Sequence, residues 1–273
     1  MHIVDFEYAH HRLSDFNCIA CYIDSGIKSN ENDIGCDITF NTVKNNHSSQ
    51  RSVTSSTYDN VYTTTFDIMK NVCNTNVDDI YFNSVEIREL MFWLSRREYA
   101  KFKPLDSVEN LNICFYGSFN VKPISFGEDT IGFRLEFTSN APYGYAESIQ
   151  SKNMILQEHQ TFSLYGDSDE MITLYPKVQI RCFANGKLNI HNQLTDNTVI
   201  IDNCVNGETI TLEGEYKIID TDDEEHQKTL YSDFNYSYLD ILVDEYKSEN
   251  IYEVSLPCEI IVSYSPIRKV GVY

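Results

Sequence analysis

The chain has little proline or glycine, six and eleven residues respectively in 273. A collagen-like fibre needs glycine at every third position and abundant proline, so that architecture is excluded, as is a low-complexity linker. Basic residues are also few: 21 stand against 41 acidic ones, for a formal net charge of −20. Free nucleic acid and anionic membrane surfaces both call for a basic footprint, so neither is an expected partner and no sequence-specific nucleic-acid binding is expected. No run of about twenty apolar residues is present, so no membrane-spanning helix is expected. The first twenty residues include Asp5, Glu7 and Asp15 and lack a continuous apolar stretch, which does not read as a secretory leader. Synthesis in a reducing cytoplasm follows as the expectation.

Catalytic signatures are missing as well. There is no glycine-rich phosphate loop, no HExxH zinc-protease pattern and no serine elbow. With 41 acids a pair of carboxylates carries no information, so no catalytic residue is assigned and the chain is not expected to be an enzyme. The eight cysteines are scattered; Cys18–Ile–Ala–Cys21 has metal-like spacing, but no second close pair follows. A structural zinc site needs about four converging ligands, and Cys36 and His47 would have to loop back to supply them, so reduced thiols are the better reading. His10–His11 is the one histidine cluster; neighbours on an extended chain face opposite ways, which suits a surface or interface rather than one metal. Asp220 to Glu225 holds five acids in six positions but lacks the glycine and final glutamate of a calcium loop, so it reads as a solvated loop. No cofactor or metal is expected.

What the chain does have is aromatic residues, nineteen tyrosines and fifteen phenylalanines, within a hydrophobic content of 42%. That content suits half-buried strands and contact surfaces. The length allows one large core or two β-rich domains. Strand candidates open the chain at His2–Tyr8, Cys18–Ile23 and Asp37–Val43, and Val61–Met69 follows a polar Lys44–Asp59 stretch that reads as a long loop or loose hairpin. Val85 to Leu94 places Ile87, Leu90, Met91 and Leu94 three and four apart, which predicts one amphipathic helix, with Ser84 as its cap. Leu111–Tyr116 and Phe119–Ile124 suggest two strands about a Gly117–Ser118 turn. Ile131, Phe133, Leu135 and Phe137 share one face of a further strand. Ser139 to Gly144 interrupts the pattern, which sets a boundary near Asn140–Tyr145. The second half is a series of short strands at about ten-residue spacing, the pattern of an antiparallel sandwich. Asn185–Gly186 predicts a hairpin between Pro176–Phe183 and Lys187–Asn192. The fold class is therefore mainly β, with one amphipathic helix. Phe92, Trp93, Tyr143 and Tyr145 suit either subunit contacts or stacking on sugars.

The succession of these segments resembles one family. Trp93–Leu94 after an Ile–Arg–Glu–Leu helix is followed by Gly132–Phe–Arg–Leu–Glu–Phe137 and Ala141–Pro–Tyr–Gly–Tyr145. Tyr175–Pro–Lys–Val–Gln–Ile180, Leu188–Asn–Ile–His–Asn192, Asn206–Gly–Glu–Thr–Ile–Thr–Leu212 and Ile260 to Val270 complete the order over residues 80–273. In this order the chain resembles the distal tail proteins of long-tailed bacteriophages. The resemblance implies an N-terminal barrel-like β domain with one helix (1–140, with 259–273 returning to it) and a C-terminal galectin-like antiparallel β-sandwich (141–258). It implies a structural hub of the tail tip or baseplate: a homo-hexameric ring that joins the major tail-tube protein to the tail hub and carries receptor-binding or baseplate proteins. DNA would pass through its lumen, where acidic side chains would limit adhesion. Ile87, Leu90, Trp93, Phe133, Tyr143, Tyr145 and Tyr264 are the assembly-interface candidates, and Lys44–Thr57 falls where the family carries an arm that embraces a neighbour. The rival reading is a carbohydrate-binding module of a baseplate or cell-surface structure, with a carbohydrate hydrolase more distant.

Overall fold

The computed structural model of the chain describes residues 3–21, 37–44, 51–71, 80–106, 113–146, 149–150 and 154–269. They fall into two compact units, one within Met1–Tyr145 and Arg268–Tyr273, the other Ala146–Ile267.

The first unit contains β1 (Ile3–Tyr8), β2 (His11–Arg12), β3 (Cys18–Cys21), β4 (Ile38–Lys44), β5 (Arg51–Tyr58), β6 (Thr63–Lys70), helix α1 (Ser84–Leu94), β7 (Ala100–Asp106), β8 (Ile113–Phe126), β9 (Asp129–Ser139) and β10 (Gly144–Ala146). Strict alternation turns Phe133, Leu135 and Phe137 of β9 inwards and leaves Arg134 and Thr138 exposed. These strands build a nine-stranded sheet whose main path runs β2–β1–β7–β8–β9–β6–β3, with β10 and one later strand beside it. No ladder between β2 and β3 closes that path among the described residues. Leu111–Ile124 is not two strands about a turn: β8 runs unbroken from Ile113 to Phe126, and the chain reverses at Gly127–Glu128, where Gly127 has φ +66°. Gly117 lies inside β8 because the neighbouring strand passes close; an added Cβ would stand 2.2 Å from the Thr138 carbonyl oxygen.

Helix α1 starts as its sequence asks, but the cap is Asn83 rather than Ser84. Asn83 Oδ1 accepts from the backbone N–H groups of Val85 (2.9 Å) and Glu86 (3.0 Å), and Glu86 Oε2 accepts from Asn83 N–H (2.8 Å). The helix buries Leu90, Trp93 and Leu94 in a core of Phe6, Tyr8, Phe66, Phe102 and Phe119. Trp93 stacks between Phe6 (5.5 Å between centroids) and Phe16 (4.5 Å), and its indole N–H donates to the Tyr8 carbonyl at 2.7 Å. Full burial of each such aromatic contributes about 1.5–3 kcal/mol.

The polar Lys44–Asp59 stretch is not a loop throughout. Arg51–Tyr58 pairs with Ile38–Lys44 as a separate two-stranded ribbon, β4–β5, off the main sheet. Hydroxyl-rich strands with both faces in water do not show the alternation that marks a half-buried strand.

The second unit contains β11 (Ile149–Gln150), β12 (Met154–Leu156), β13 (Thr161–Tyr165), β14 (Thr173–Leu174), β15 (Lys177–Cys182), β16 (Gly186–Asn192), β17 (Asn197–Cys204), β18 (Thr209–Glu213), β19 (Ile218–Thr221), the single-turn α2 (Leu230–Asp233), β20 (Ile241–Leu242), β21 (Glu249–Val254) and β22 (Cys258–Tyr264); β23 (Ile267–Arg268) joins the nine-stranded sheet. A six-stranded sheet with the path β11–β22–β15–β18–β19 and a four-stranded sheet β13–β21–β16–β17 turn their apolar faces to one core. That core is largely aliphatic, including Val178, Ile180, Leu188, Ile190, Ile210, Leu212, Ile260 and Val262.

Two expectations change here. Asn185–Gly186 is no hairpin: β15 ladders with β18 and β22, while β16 ladders with β17 and β21, so the chain crosses between sheets at Phe183–Asn185. Asn206–Gly207 makes the return crossing, and Asn206 N–H donates to Asn185 Oδ1 at 2.6 Å, tying the two corners together. Residues 259–264 do not return to the first unit either, since β22 pairs with β15 from Lys177↔Ser263 to Cys182↔Cys258. Among the described residues after β22, β23 joins the nine-stranded sheet by pairing with β10.

Candidate functional site

The assembly candidates separate into core and surface. Leu90, Trp93 and Phe133 are each 2% exposed, and Ile87 packs partly buried on the same core. Phe133 meets Phe82 edge-on at 5.2 Å. These four residues seat α1 and β9; their shape reaches a neighbouring molecule only through the surface above them. The burial of Trp93 also removes it as a stacking platform for sugars. Tyr143 and Tyr145 are half-buried, with centroids 5.7 Å apart and planes at 79°. Tyr58 lies edge-on to Tyr143 at 6.4 Å and Tyr116 to Tyr145 at 5.8 Å. Near-perpendicular rings make a packed aromatic cluster rather than a flat sugar-binding face. Tyr264 belongs to the second unit, where its hydroxyl donates to the Tyr165 carbonyl at 2.8 Å.

The surface carries apolar groups that the candidate set omits. Phe92 on α1 is 86% exposed and Val85, two turns earlier on the same helix face, is 63% exposed. On the β4–β5 ribbon, Ile38 faces Tyr58, Phe40 faces Ser56 and Thr42 faces Val53 across the ladder, with a bulge at Asn41/Thr42. Period-two alternation therefore collects Ile38, Phe40, Val53 and Tyr58 on one face. The other face carries Thr39, Asn41, Ser55 and Thr57; Asn41 Nδ2 donates to Ser55 Oγ at 3.0 Å and Thr39 Oγ1 donates to Asp59 at 2.6 Å. Phe40 and Val53 are each 58% exposed. Of the Lys44–Thr57 stretch expected as an arm, Val53 joins the apolar face, whose other members Ile38, Phe40 and Tyr58 lie outside it, and Val43 stands exposed on the polar face; residues 45–50 lie outside the described residues.

The groups with chemical potential are enclosed. Cys18 and Cys21 sit three apart on β3, which turns them to opposite faces. Burial, then the Glu86 charge, pushes the Cys18 thiol up to about 12; burial and Asp67 push Cys21 up to about 11. Such thiols stay protonated and are poor ligands and nucleophiles. Cys36 and His47 lie outside the described residues. Among the described residues no group of three or more His, Cys, Asp or Glu side chains could hold a metal ion.

The acidic run turns out to be built into the fold. Asp222 Oδ1 accepts from Thr209 N–H (2.7 Å), and Asp223 Oδ1 accepts from the N–H groups of Glu225 (3.0 Å) and His226 (2.8 Å). His226 is thereby placed inside the unit, its Nδ1 2.6 Å from Glu208 Oε1 and its Nε2 3.7 Å from Asp233 Oδ2. Glu208 also accepts from Thr221 Oγ1 (2.5 Å) and Val205 N–H (2.8 Å). The His226 and Glu208 side chains are 2% and 0% exposed, so no substrate reaches them. The pair joins strands and turns 18 residues apart, a separation at which sequence spacing carries no signal.

A mainly β chain of two units, with enclosed polar groups and exposed apolar faces, has the properties of a structural protein that works by contact. The chain belongs to a phage tail protein family: residues 1–141 match the family described as phage tail protein N-terminal domain, and residues 143–264 match the phage tail C-terminal domain. Among solved structures it is similar to the crystal structure of the phage SPP1 Dit (gp 19.1) protein, described as a paradigm of the hub adsorption apparatus in phages that infect Gram-positive bacteria. That similarity has a TM-score of 0.62 at 12% identity and covers 97% of this chain and 99% of that one, so the two share a fold. No curated protein sequence matches the chain at a significant level.

Proposed function

We propose that this phage tail protein is a noncatalytic distal hub whose role is geometry. The observation that carries the reading is the shared fold with the SPP1 Dit protein over nearly the whole of both chains. On this reading the first unit is a barrel-like ring domain and the second a galectin-like sandwich that projects outward. Six copies close a ring at the virion tail tip or baseplate, assembled in the host cytoplasm. The ring joins the major tail-tube protein to the tail hub and offers the second unit to receptor-binding or baseplate proteins. Contacts between different surfaces of one chain close into a ring when the rotation fits, so a single sequence suffices. DNA passes through the lumen, and a net charge of −20 keeps the ring from holding it. No cofactor enters this role.

Antibody labelling of intact virions tests the placement. Label confined to the tail tip is expected; label along the tail shaft or at the head would overturn the reading.

A further inference from the structure

The second unit brings tyrosines from separate segments together at one surface. Lys217, in the turn between β18 and β19, holds its Nζ 3.5 Å from the centroid of the Tyr175 ring and 4.8 Å from that of Tyr238. Tyr238 meets Phe234 edge-on at 5.2 Å, and Phe234 meets Tyr236 at 5.5 Å. The Tyr236 hydroxyl donates to the Tyr231 carbonyl at 2.9 Å. Tyr238 is buried, whereas Tyr231 and Tyr236 are 55% and 63% exposed. We propose that this cluster binds a neutral carbohydrate, a β-linked chain of gluco-configured pyranoses. The inference goes beyond the hub reading and does not depend on it.

The backbone displays these rings at a cost. Tyr236 has φ +59° and Lys217 φ +56°, in the left-handed region that residues with a bulky side chain seldom adopt. Tyr236 stays there although its side chain is mostly in water, so core packing does not demand the strain, and strain of that kind collects at binding surfaces. The segment is also clamped. Asn235 N–H donates to the Ile200 carbonyl (3.1 Å), its Oδ1 accepts from the N–H groups of Ile200 and Ser237 (both 3.1 Å), and its Nδ2 donates to the Thr198 carbonyl (2.8 Å). A surface fixed before its ligand arrives gives up little entropy on binding. The chemistry of the cluster selects the ligand. Burial, then the nearby Tyr231 and Tyr236, raises the Tyr238 hydroxyl above its ordinary 10.0, which places the three phenols side by side. A pyranose whose hydroxyls are all equatorial lays a flat C–H face on an exposed ring and points hydroxyls outward from its rim; an axial hydroxyl roughens that face. The rings of Tyr231 and Tyr236 take the face, and the Tyr238 hydroxyl and the Lys217 ammonium take the rim. A protein hot spot would seat its anchor on apolar side chains, whereas the buried member here is a phenol with an ammonium over its ring. Glu215 and Asp233, interleaved with the cluster in sequence, oppose an anionic polymer.

Affinity electrophoresis of the full chain, in native gels containing hydroxyethyl cellulose or glycol chitin, tests the site. The wild-type chain should be retarded. Tyr236→Ala should weaken binding roughly tenfold, the effect of losing one stacked ring, with its far-ultraviolet circular dichroism melt unchanged. Tyr236→Phe keeps the ring and gives up only the bond to Tyr231, so it should bind better than Tyr236→Ala. Tyr231→Ala repeats the test on a segment free of the Tyr236 backbone strain and should also weaken binding. Tyr165→Ala, on the opposite edge strand β13 of the four-stranded sheet, should bind as the wild type does. No retardation in either gel, or equal retardation of the wild type and both alanine variants of the cluster, would overturn the site and leave the hub reading standing.

Discussion

The first unit packs around aromatic rings and the second around aliphatic side chains. In the first, Phe102 alone meets Phe6, Phe66, Phe115, Phe119 and Phe137 within about 6.5 Å. In the second, the core is mostly Val, Ile and Leu, and buried polar groups hold the segments laid over the sheets. Asn192 Nδ2 donates to Asp240 Oδ1 and to the Asp240 carbonyl, both at 3.2 Å, while the Tyr252 hydroxyl donates to that carbonyl at 2.5 Å. Both units leave apolar side chains in water, Phe40 and Phe92 in the first and Ile155 and Met171 in the second. The contrast lies in the cores: rings interlock in the first unit, while in the second buried amide, carboxylate and hydroxyl groups tie the connecting segments down.

Phe102→Ala tests the aromatic core most severely. It should cost about 3–5 kcal/mol, read as a lower denaturation midpoint of Trp93 fluorescence. Trp93 is the single tryptophan, so it reports the first unit alone, and Ile180→Ala in the second should leave its midpoint unmoved. Glu208→Ala should destabilise the second unit by about 1–3 kcal/mol, because it strands His226, Thr221 Oγ1 and Val205 N–H. Far-ultraviolet circular dichroism should record that loss while Trp93 fluorescence stays put. Asn83→Ala should lower the first unit by about 1 kcal/mol, and Asn83→Ser should restore most of it.

The smallest effect at neutral pH appears on the alkaline side. Burial pushes the Cys258 thiol up to about 12, and the hydrogen bond with Cys204, then burial, raises Cys182 further. From an ordinary value of 9.0, the unfolded chain releases these protons at lower pH than the folded one. Their stabilisation is therefore complete below about pH 9 and is lost as pH rises towards 12. Thermal melts across that window should show a falling midpoint, less steep in Cys182→Ala. An unchanged slope would separate the thiols from the alkaline loss.

Elements governed by local periodicity were legible in the sequence. The alternation of Ile131–Phe137 and the three-and-four spacing of Ile87, Leu90, Met91 and Leu94 each state a buried face directly. Elements governed by distant partners were not. Arg51–Tyr58 sets only Val53 and Tyr58 among hydroxyl groups, too sparse an alternation to mark a strand, so its ladder with Ile38–Lys44 is what makes it one. Asn185–Gly186 has hairpin chemistry, yet the strands on either side find partners in different sheets. Gly117 looked like a turn because its reason, the approach of Thr138, lies 21 positions away. At the candidate site the sequence pointed to α1 and to both Phe92 and Trp93, but not to which of the two is covered. Trp93 and Phe92 are adjacent, and a turn of about 100° per residue puts one in the core and the other in water.

The mass of the assembled protein tests the ring most directly. Native mass spectrometry of the purified chain, with particle imaging of the same sample, should give closed rings of six copies with the second units at the rim. A monomer across the whole concentration range, or open filaments in place of rings, would contradict it.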